Sequence, residues 1–224
     1  MSRRAQLTRE QVLRKAVELA DIEGLGALSM RRLGSELGVK AMSLYNHVAN
    51  KDAILDGVVD LVVAEIEVPD PELSWRPAVE ARCRSAREVL LAHRWLAGLL
   101  MSRFNAGPNM IRYVDATIGA LRGGGFSISM ADQAWGILDS YLYGFVLQEL
   151  DFPLDQDEYA DTAAAYLPSL DAEALPHFTE MTRAVAERRH DGVRDFELGL
   201  RLVLDGLEGL LREQVTQALP QANG

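Results

Sequence analysis

The residues best equipped for chemistry crowd into one stretch of this chain. From Leu37 to Lys51 there is no carboxylate, while Lys40, Met42, Ser43, Tyr45, Asn46, His47 and Lys51 supply cations, hydrogen-bond donors and apolar contact surface. Arg31 lies just upstream. Donors and methyl-contacting groups on a carboxylate-free helix suit the floor and walls of the DNA major groove. Lys51 opens a further helix, and there backbone N–H groups and the helix dipole favour a phosphate.

Other chemistry is poorly represented. His47, His93, His177 and His190 are scattered, with no HExxH, no glycine-rich phosphate loop and no nucleophile elbow. Asp151, Asp155, Asp157 and Asp161 lack the spacing and the glycine of a calcium loop and read as a solvated charge run. Cys83 is the single cysteine, which excludes an internal disulfide and a cysteine-based metal site and reads as a buried helix residue. Neither metal, cofactor nor catalytic residues are expected.

The elements that must position the donor stretch are legible on either side of it. Ser29 is placed to cap a short helix in which Met30, Leu33 and Leu37 recur at helical spacing, leaving Arg31, Arg32, Ser35 and Glu36 outside. Gly38 suits a left-handed helix end. A second helix is predicted over about Lys40–Val48, with Leu44 and Val48 inward. Two helices and a glycine turn at this spacing make a helix-turn-helix. A first helix over about Arg9–Gly24, opened by a Thr8/Gln11 capping box, supplies Val12, Leu13, Ala16, Val17 and Ala20 to support it. Asn50 caps a fourth helix, Lys51 to about Glu67, a plausible lever toward the remainder of the chain.

Two prolines in Val68-Pro-Asp-Pro-Glu set a boundary, giving expected domains 1–67 and 68–224. Beyond it the pattern predicts helices from Trp75 to about His93 (capped by Ser74, with Arg76–Glu80 and Arg84–Glu88 pairs), Arg94–Met101, Pro108–Arg122, about Ser129–Leu150, Asp171–Arg189 and Arg194–Leu219. Residues 151–170 read as a mobile acidic loop with a short helix near Tyr159–Tyr166, and His190-Asp-Gly as a turn. No strand-period segment and no internal repeat is present, so the fold class is all-α: a three-helix head, a linking fourth helix and a helical C-terminal domain for a ligand and for dimerisation.

Charge divides along the same line. Residues 1–51 carry nine Lys or Arg against five Asp or Glu, net +4, whereas residues 52–224 carry fourteen against twenty-eight, net −14. Positive charge in the head supplies a phosphate-binding contribution, and the acidic body discourages non-specific DNA contact. No apolar run reaches the roughly 18 residues a membrane span needs and the basic N-terminus lacks an apolar core, so a cytoplasmic location is expected.

On LGV, SLYNHV and NK at their present spacing, the segment Thr8–Ile66 resembles the N-terminal domain of TetR-family transcriptional repressors. Ser74-Trp75, Ala92-His93-Arg94, Gly125-Phe126-Ser127 and Gly206-Leu207-Glu208 extend the resemblance to the tetracycline-repressor branch. It implies a homodimer on a palindromic DNA operator, with Arg31 reading a base, Tyr45 and Lys51 on phosphates, Met42 and Asn46 on bases, and Ala41 and His47 on the same face. Asn46 and Ala41 stand where the tetracycline repressor has tryptophan and glutamine, so a different operator is expected.

The resemblance also implies an effector site among the middle helices and a four-helix dimer interface, to which Gly199, Gly206 and Gly209 on the last helix would belong. Trp95, Met101, Phe104, Met110, Tyr113, Trp135, Leu138 and Tyr141 are the candidate lining residues, suited as a set to a large apolar effector; singly, each also reads as core. Leu100, Gln148, Glu67 and Arg82 replace the magnesium- and drug-contacting groups of the tetracycline repressor, which makes magnesium–tetracycline a poor match. Arg82 could meet an anionic effector group, or form a surface ion pair. Two other readings remain open: a helical small-molecule binder or enzyme whose head mediates assembly, and a DNA-binding protein without an effector.

Overall fold

Thr8 opens the first helix as its spacing predicts: its hydroxyl accepts from Gln11 N (3.2 Å) and its own N–H donates to Gln11 Oε1 (3.0 Å). In this computed structural model, which describes residues 7–152, 154, 156–190 and 195–218, every regular element among the described residues is helical. Helix α1 (Arg9–Glu23) buries Val12, Leu13, Ala16, Val17, Leu19 and Ala20 against α2 (Met30–Glu36) and α4 (Lys51–Val63). α4 buries Ile54, Val58 and Val62 on one stripe and Val59 and Val63 on a second. The second apolar stripe exists because α4 packs on α7 (Pro108–Gly123) as well as on α1.

Helix α5 (Trp75–Ala92) begins after Ser74, whose side chain makes no capping bond. Arg76 does not pair along its own helix; it reaches α11 (Phe196–Ala218), binding Asp205 (2.5 Å) and Glu208 (2.8 Å). Arg84 pairs within α5, but with Glu80 (2.6 Å) where the spacing offers Glu88. The short α6 (Leu96–Ser102) precedes α7, and the glycine run after α7 is a tight joint rather than a slack one. Gly125 has φ +97°, and a Cβ on Gly124 would lie 2.5 Å from the Trp75 indole. Gln214 of α11 pins this joint by accepting from Ser127 N (3.1 Å) and donating to Gly125 O (3.0 Å). Ser127 caps α8 (Ile128–Asp151) through the Met130 N–H.

Two compact units divide the chain: described residues through Leu147 together with those from Leu200 onward, and Gln148–Gly199. In the second unit α9 (Gln156–Tyr166) packs on α10 (Pro176–Ala186), where Ala160, Ala163, Thr179, Thr182 and Val185 are buried. The acidic stretch expected to be a loop is therefore largely helical. α10 starts at Pro176 rather than Asp171, since proline fits the first helical turn, where its missing N–H costs nothing. Of the expected turn at residues 190–192, all but His190 lies outside the described residues, as does the expected end of α11 at Leu219.

Candidate nucleic-acid interface and buried polar cluster

Local sequence builds the head's surface in three steps. Ser29 Oγ accepts from Arg32 N (3.2 Å) and starts α2. Gly38, at φ +63°, turns the chain where a side chain would be strained. Gly34 then allows α3 (Ala41–Leu44) to close on α2: a Cβ there would sit 3.0 Å from Val39 O and 3.2 Å from Ala41 N. Gly34 is a requirement the sequence pattern did not expose.

α3 is shorter than predicted. After Leu44 the chain tightens into a turn, with His47 N donating to Leu44 O (2.9 Å) and Asn46 N reaching Ser43 O (3.4 Å). Leu44 and Val48 are buried as expected, while Lys40, Met42, Tyr45, Asn46 and Lys51 are exposed and Ala41, Ser43 and His47 half-exposed. Met42 (75 %) and Tyr45 (48 %) are unusually open for such residues. Asn50 Oδ1 caps α4 by accepting from Ala53 N (2.8 Å), which leaves Lys51 in the first turn.

The two neighbouring arginines of α2 have different surroundings. Arg32 is held between Glu23 and Glu36, both at 2.5 Å. Arg31 is exposed and forms no ion pair among the described residues. Arg31, α3 and Lys51 thus form one open, donor-rich surface.

The expected effector residues are dispersed. Trp95 is buried at a joint between α1 and the α5–α6 corner, where its indole N–H donates to Asp21 (2.6 Å) and His93 contacts Asp21 (2.8 Å) and Glu65 (3.3 Å). Met101 (62 %) and Phe104 (94 %) are on the surface rather than in the interior. Met110, Tyr113 and Leu138 are buried, and Trp135 and Tyr141 half-buried, with Tyr141 5.8 Å from Phe145.

Arg82 is fully buried instead of forming a surface ion pair. Its Nη2 donates to Asp139 (2.5 Å), its guanidinium lies 4.5 Å over the Tyr113 ring, and Tyr143 Oη donates to the other Asp139 oxygen (3.0 Å). Burial opposes the charge on Arg82, but Tyr113 and Asp139 outweigh it and hold the guanidinium protonated. Burial pushes the Tyr113 and Tyr143 phenols and the Cys83 thiol upward. Arg82 Nε, Tyr113 Oη and Trp135 Nε1 are buried with no hydrogen-bond partner. Such orphan donors typically cost about 1–3 kcal/mol each. Asp139 and Tyr143 were missed in the sequence because a carboxylate and a phenol on an aromatic-rich helix carry no motif; their spacing from Trp135, four residues per step, was the available signal.

Two family models match this chain: "Bacterial regulatory proteins, tetR family" over residues 12–58 and "Tetracyclin repressor-like, C-terminal domain" over residues 68–211. The chain belongs to the TetR family. As a TetR-family transcriptional regulator it is 31 % identical to the class C tetracycline repressor protein of Escherichia coli, with the match spanning 91 % of each chain. The Streptomyces coelicolor TetR-family protein ActR, solved with actinorhodin, superposes with a TM-score of 0.78 at 37 % identity, covering 91 % of this chain and 96 % of that one. BioQ, solved with its double-stranded DNA operator, gives a TM-score of 0.62 at 26 % identity, covering 90 % of this chain and 98 % of that one. Among the described residues no helix is long and apolar enough to cross a membrane.

Proposed function

We propose that this TetR-family regulator is a ligand-responsive repressor, with a DNA-binding head at residues 1–67 and an effector-binding and dimerisation body at 68–224. It grips a palindromic operator as a homodimer. The observation that carries the reading is the open surface of Arg31, α3 and Lys51, from which Arg32 is withdrawn by two carboxylates. In this reading Arg31, Met42 and Asn46 meet base edges, and Lys40, Ser43, Tyr45 and Lys51 hold phosphates, with Ala41 and His47 flanking them. BioQ, solved with its operator, and the tetracycline repressor support it by likeness.

Homodimerisation is supported by an apolar face. Leu202 (62 %) and Leu210 (45 %) on α11 and Ile137 (45 %) on α8 are exposed, and a groove of about 230 Å³ runs between these helices. Gly206 and Gly209 lie on the same helix and present no side chain to a partner. A twofold pair of heads about 34–36 Å apart would read two half-sites.

The effector site lies among α5, α7 and α8, around Arg82, Met110, Tyr113, Trp135, Leu138 and Tyr141. ActR's complex with actinorhodin supports a small-molecule effector by likeness. α4 carries the response: Asp60 binds the start of α7, and Asp52 and Asp56 bind Arg103 after α6 (3.2 and 2.8 Å). An effector favouring one arrangement of this joint by about 1–3 kcal/mol would change operator affinity accordingly. The test is retention of sheared DNA from the source organism on the purified protein, followed by sequencing. A recovered palindrome, lost in the Tyr45→Ala/Lys51→Ala variant, is the expected result; a folded dimer retaining nothing above background would overturn the reading.

A further inference from the structure

The effector's chemical class follows from the buried cluster of α5, α7 and α8, and this inference rests on the effector reading above. Trp135, Asp139 and Tyr143 are spaced four residues apart on α8 and so share one face. Arg82 of α5 binds Asp139 on that face, and Tyr113 of α7 lies under the Arg82 guanidinium. Three helices thereby gather an Arg82 Nε, a Tyr113 Oη and a Trp135 Nε1, each buried and without a hydrogen-bond partner. An arginine Nε and an indole N–H can only donate, and a phenol donates readily. The unmet need is for oxygen acceptors.

Charge narrows the class further. The positive charge of Arg82 is already balanced by Asp139 at 2.5 Å, and Asp139 also accepts from Tyr143. A carboxylate or sulfonate placed on Arg82 Nε would bring a second anion beside Asp139 in a buried site, where like charges repel strongly. A neutral acceptor meets the donors without that cost. Arg82 already covers one face of Tyr113, which leaves the half-buried Trp135 ring as the stacking surface.

We infer that the effector is an uncharged aromatic molecule bearing carbonyl or hydroxyl oxygens, held by Arg82, Tyr113 and Trp135, and that an anionic analogue is excluded by Asp139. The probes that test this share one ring skeleton: dihydroxyanthraquinone, anthraquinone carboxylate and anthracene. Their binding to the full-length protein is measured by equilibrium dialysis, with Tyr113→Phe and Trp135→Phe as gentle variants whose fold is checked by melting.

Dihydroxyanthraquinone should bind, the carboxylate and anthracene at least about tenfold more weakly, and each variant should weaken dihydroxyanthraquinone about tenfold while leaving anthracene unchanged. Equal binding of anthracene, tighter binding of the carboxylate, unchanged binding in both variants, or no binding of dihydroxyanthraquinone would each overturn the inference. The effector reading is judged separately, by release of operator with fractionated small molecules from the source organism; it falls only if no fraction releases the DNA.

Discussion

Asp60, in the middle of α4, caps a helix that begins almost fifty residues later. Its Oδ1 accepts from the backbone N–H of Asn109 (2.9 Å) and of Met110 (3.0 Å), and the Asn109 side chain donates back to Asp60 Oδ2 (3.1 Å) and Asp60 O (3.2 Å). The first turn of a helix has N–H groups with no partner inside the helix, and a carboxylate there also meets the positive end of its dipole. α7 has no side-chain cap of its own, because Gly107 stands at the capping position. A Cβ at Gly107 would lie 2.1 Å from Asp60 Oδ1, so the glycine is what admits the carboxylate.

Asp60→Ala should therefore destabilise the fold by about 1–2 kcal/mol, the usual cost of a lost cap. Gly107→Ala should do the same by displacing Asp60. Urea unfolding of both variants checks this. Because Asp60 also ties α4 to α7, both should blunt the release of operator by effector more than they change operator affinity itself, a difference read by fluorescence anisotropy.

Arg31→Ala and Arg32→Ala should separate cleanly. Loss of Arg31 should weaken operator binding by about 1–3 kcal/mol, roughly fivefold to over a hundredfold, with little change in melting temperature. Arg32, partly exposed and occupied by Glu23 and Glu36, should leave operator affinity nearly unchanged and affect stability only slightly, since solvent screens such a pair. Anisotropy titrations beside thermal melts distinguish the two.

Gly34→Ala should damage the head from within. Its new methyl would press on the Val39 carbonyl and the Ala41 backbone, neither of which can swing aside, and overpacking of this kind costs about 1–3 kcal/mol. Hydrogen exchange should show faster opening of α2 and α3 with protection of α5 and α8 unchanged.

Asp139→Asn should be among the most destabilising single changes, about 3–5 kcal/mol, because Arg82 would be left as a buried cation without its counter-charge. The paired replacement Arg82→Met/Asp139→Leu should recover much of the loss. Chemical denaturation of both variants and the parent decides it.

Alkaline pH should unfold the protein earlier than its ion pairs alone imply. Cys83, Tyr113 and Tyr143 all have folded-state pKa values raised, in each case by burial first. For such groups the unfolded chain loses its protons first, so their contribution to stability is complete below the unfolded pKa, about 8.5 for cysteine and about 10 for tyrosine, and is lost as pH rises beyond it. Melting temperature should fall progressively above about pH 9, and Tyr143→Phe should shallow that fall.

Local interactions made much of this protein readable from its sequence. The Thr8, Ser29 and Asn50 caps, the Gly38 turn and the inward Leu44 and Val48 depend on residues three or four apart, and the structure has all of them where spacing puts them. The helix-turn-helix and the all-α class follow from such short-range rules. What tertiary structure alone decided is which partner a charged group finds across space. Arg76 turned from Glu80 to α11, Arg82 from the surface to buried Asp139, and Trp95 from a lining candidate to a bond with Asp21, while Asp60, to which the sequence assigned no role, caps α7. Periodicity tells which side of a helix is apolar, but not which neighbour that side meets, and a buried charge is stable only where packing brings its counter-charge within hydrogen-bonding distance.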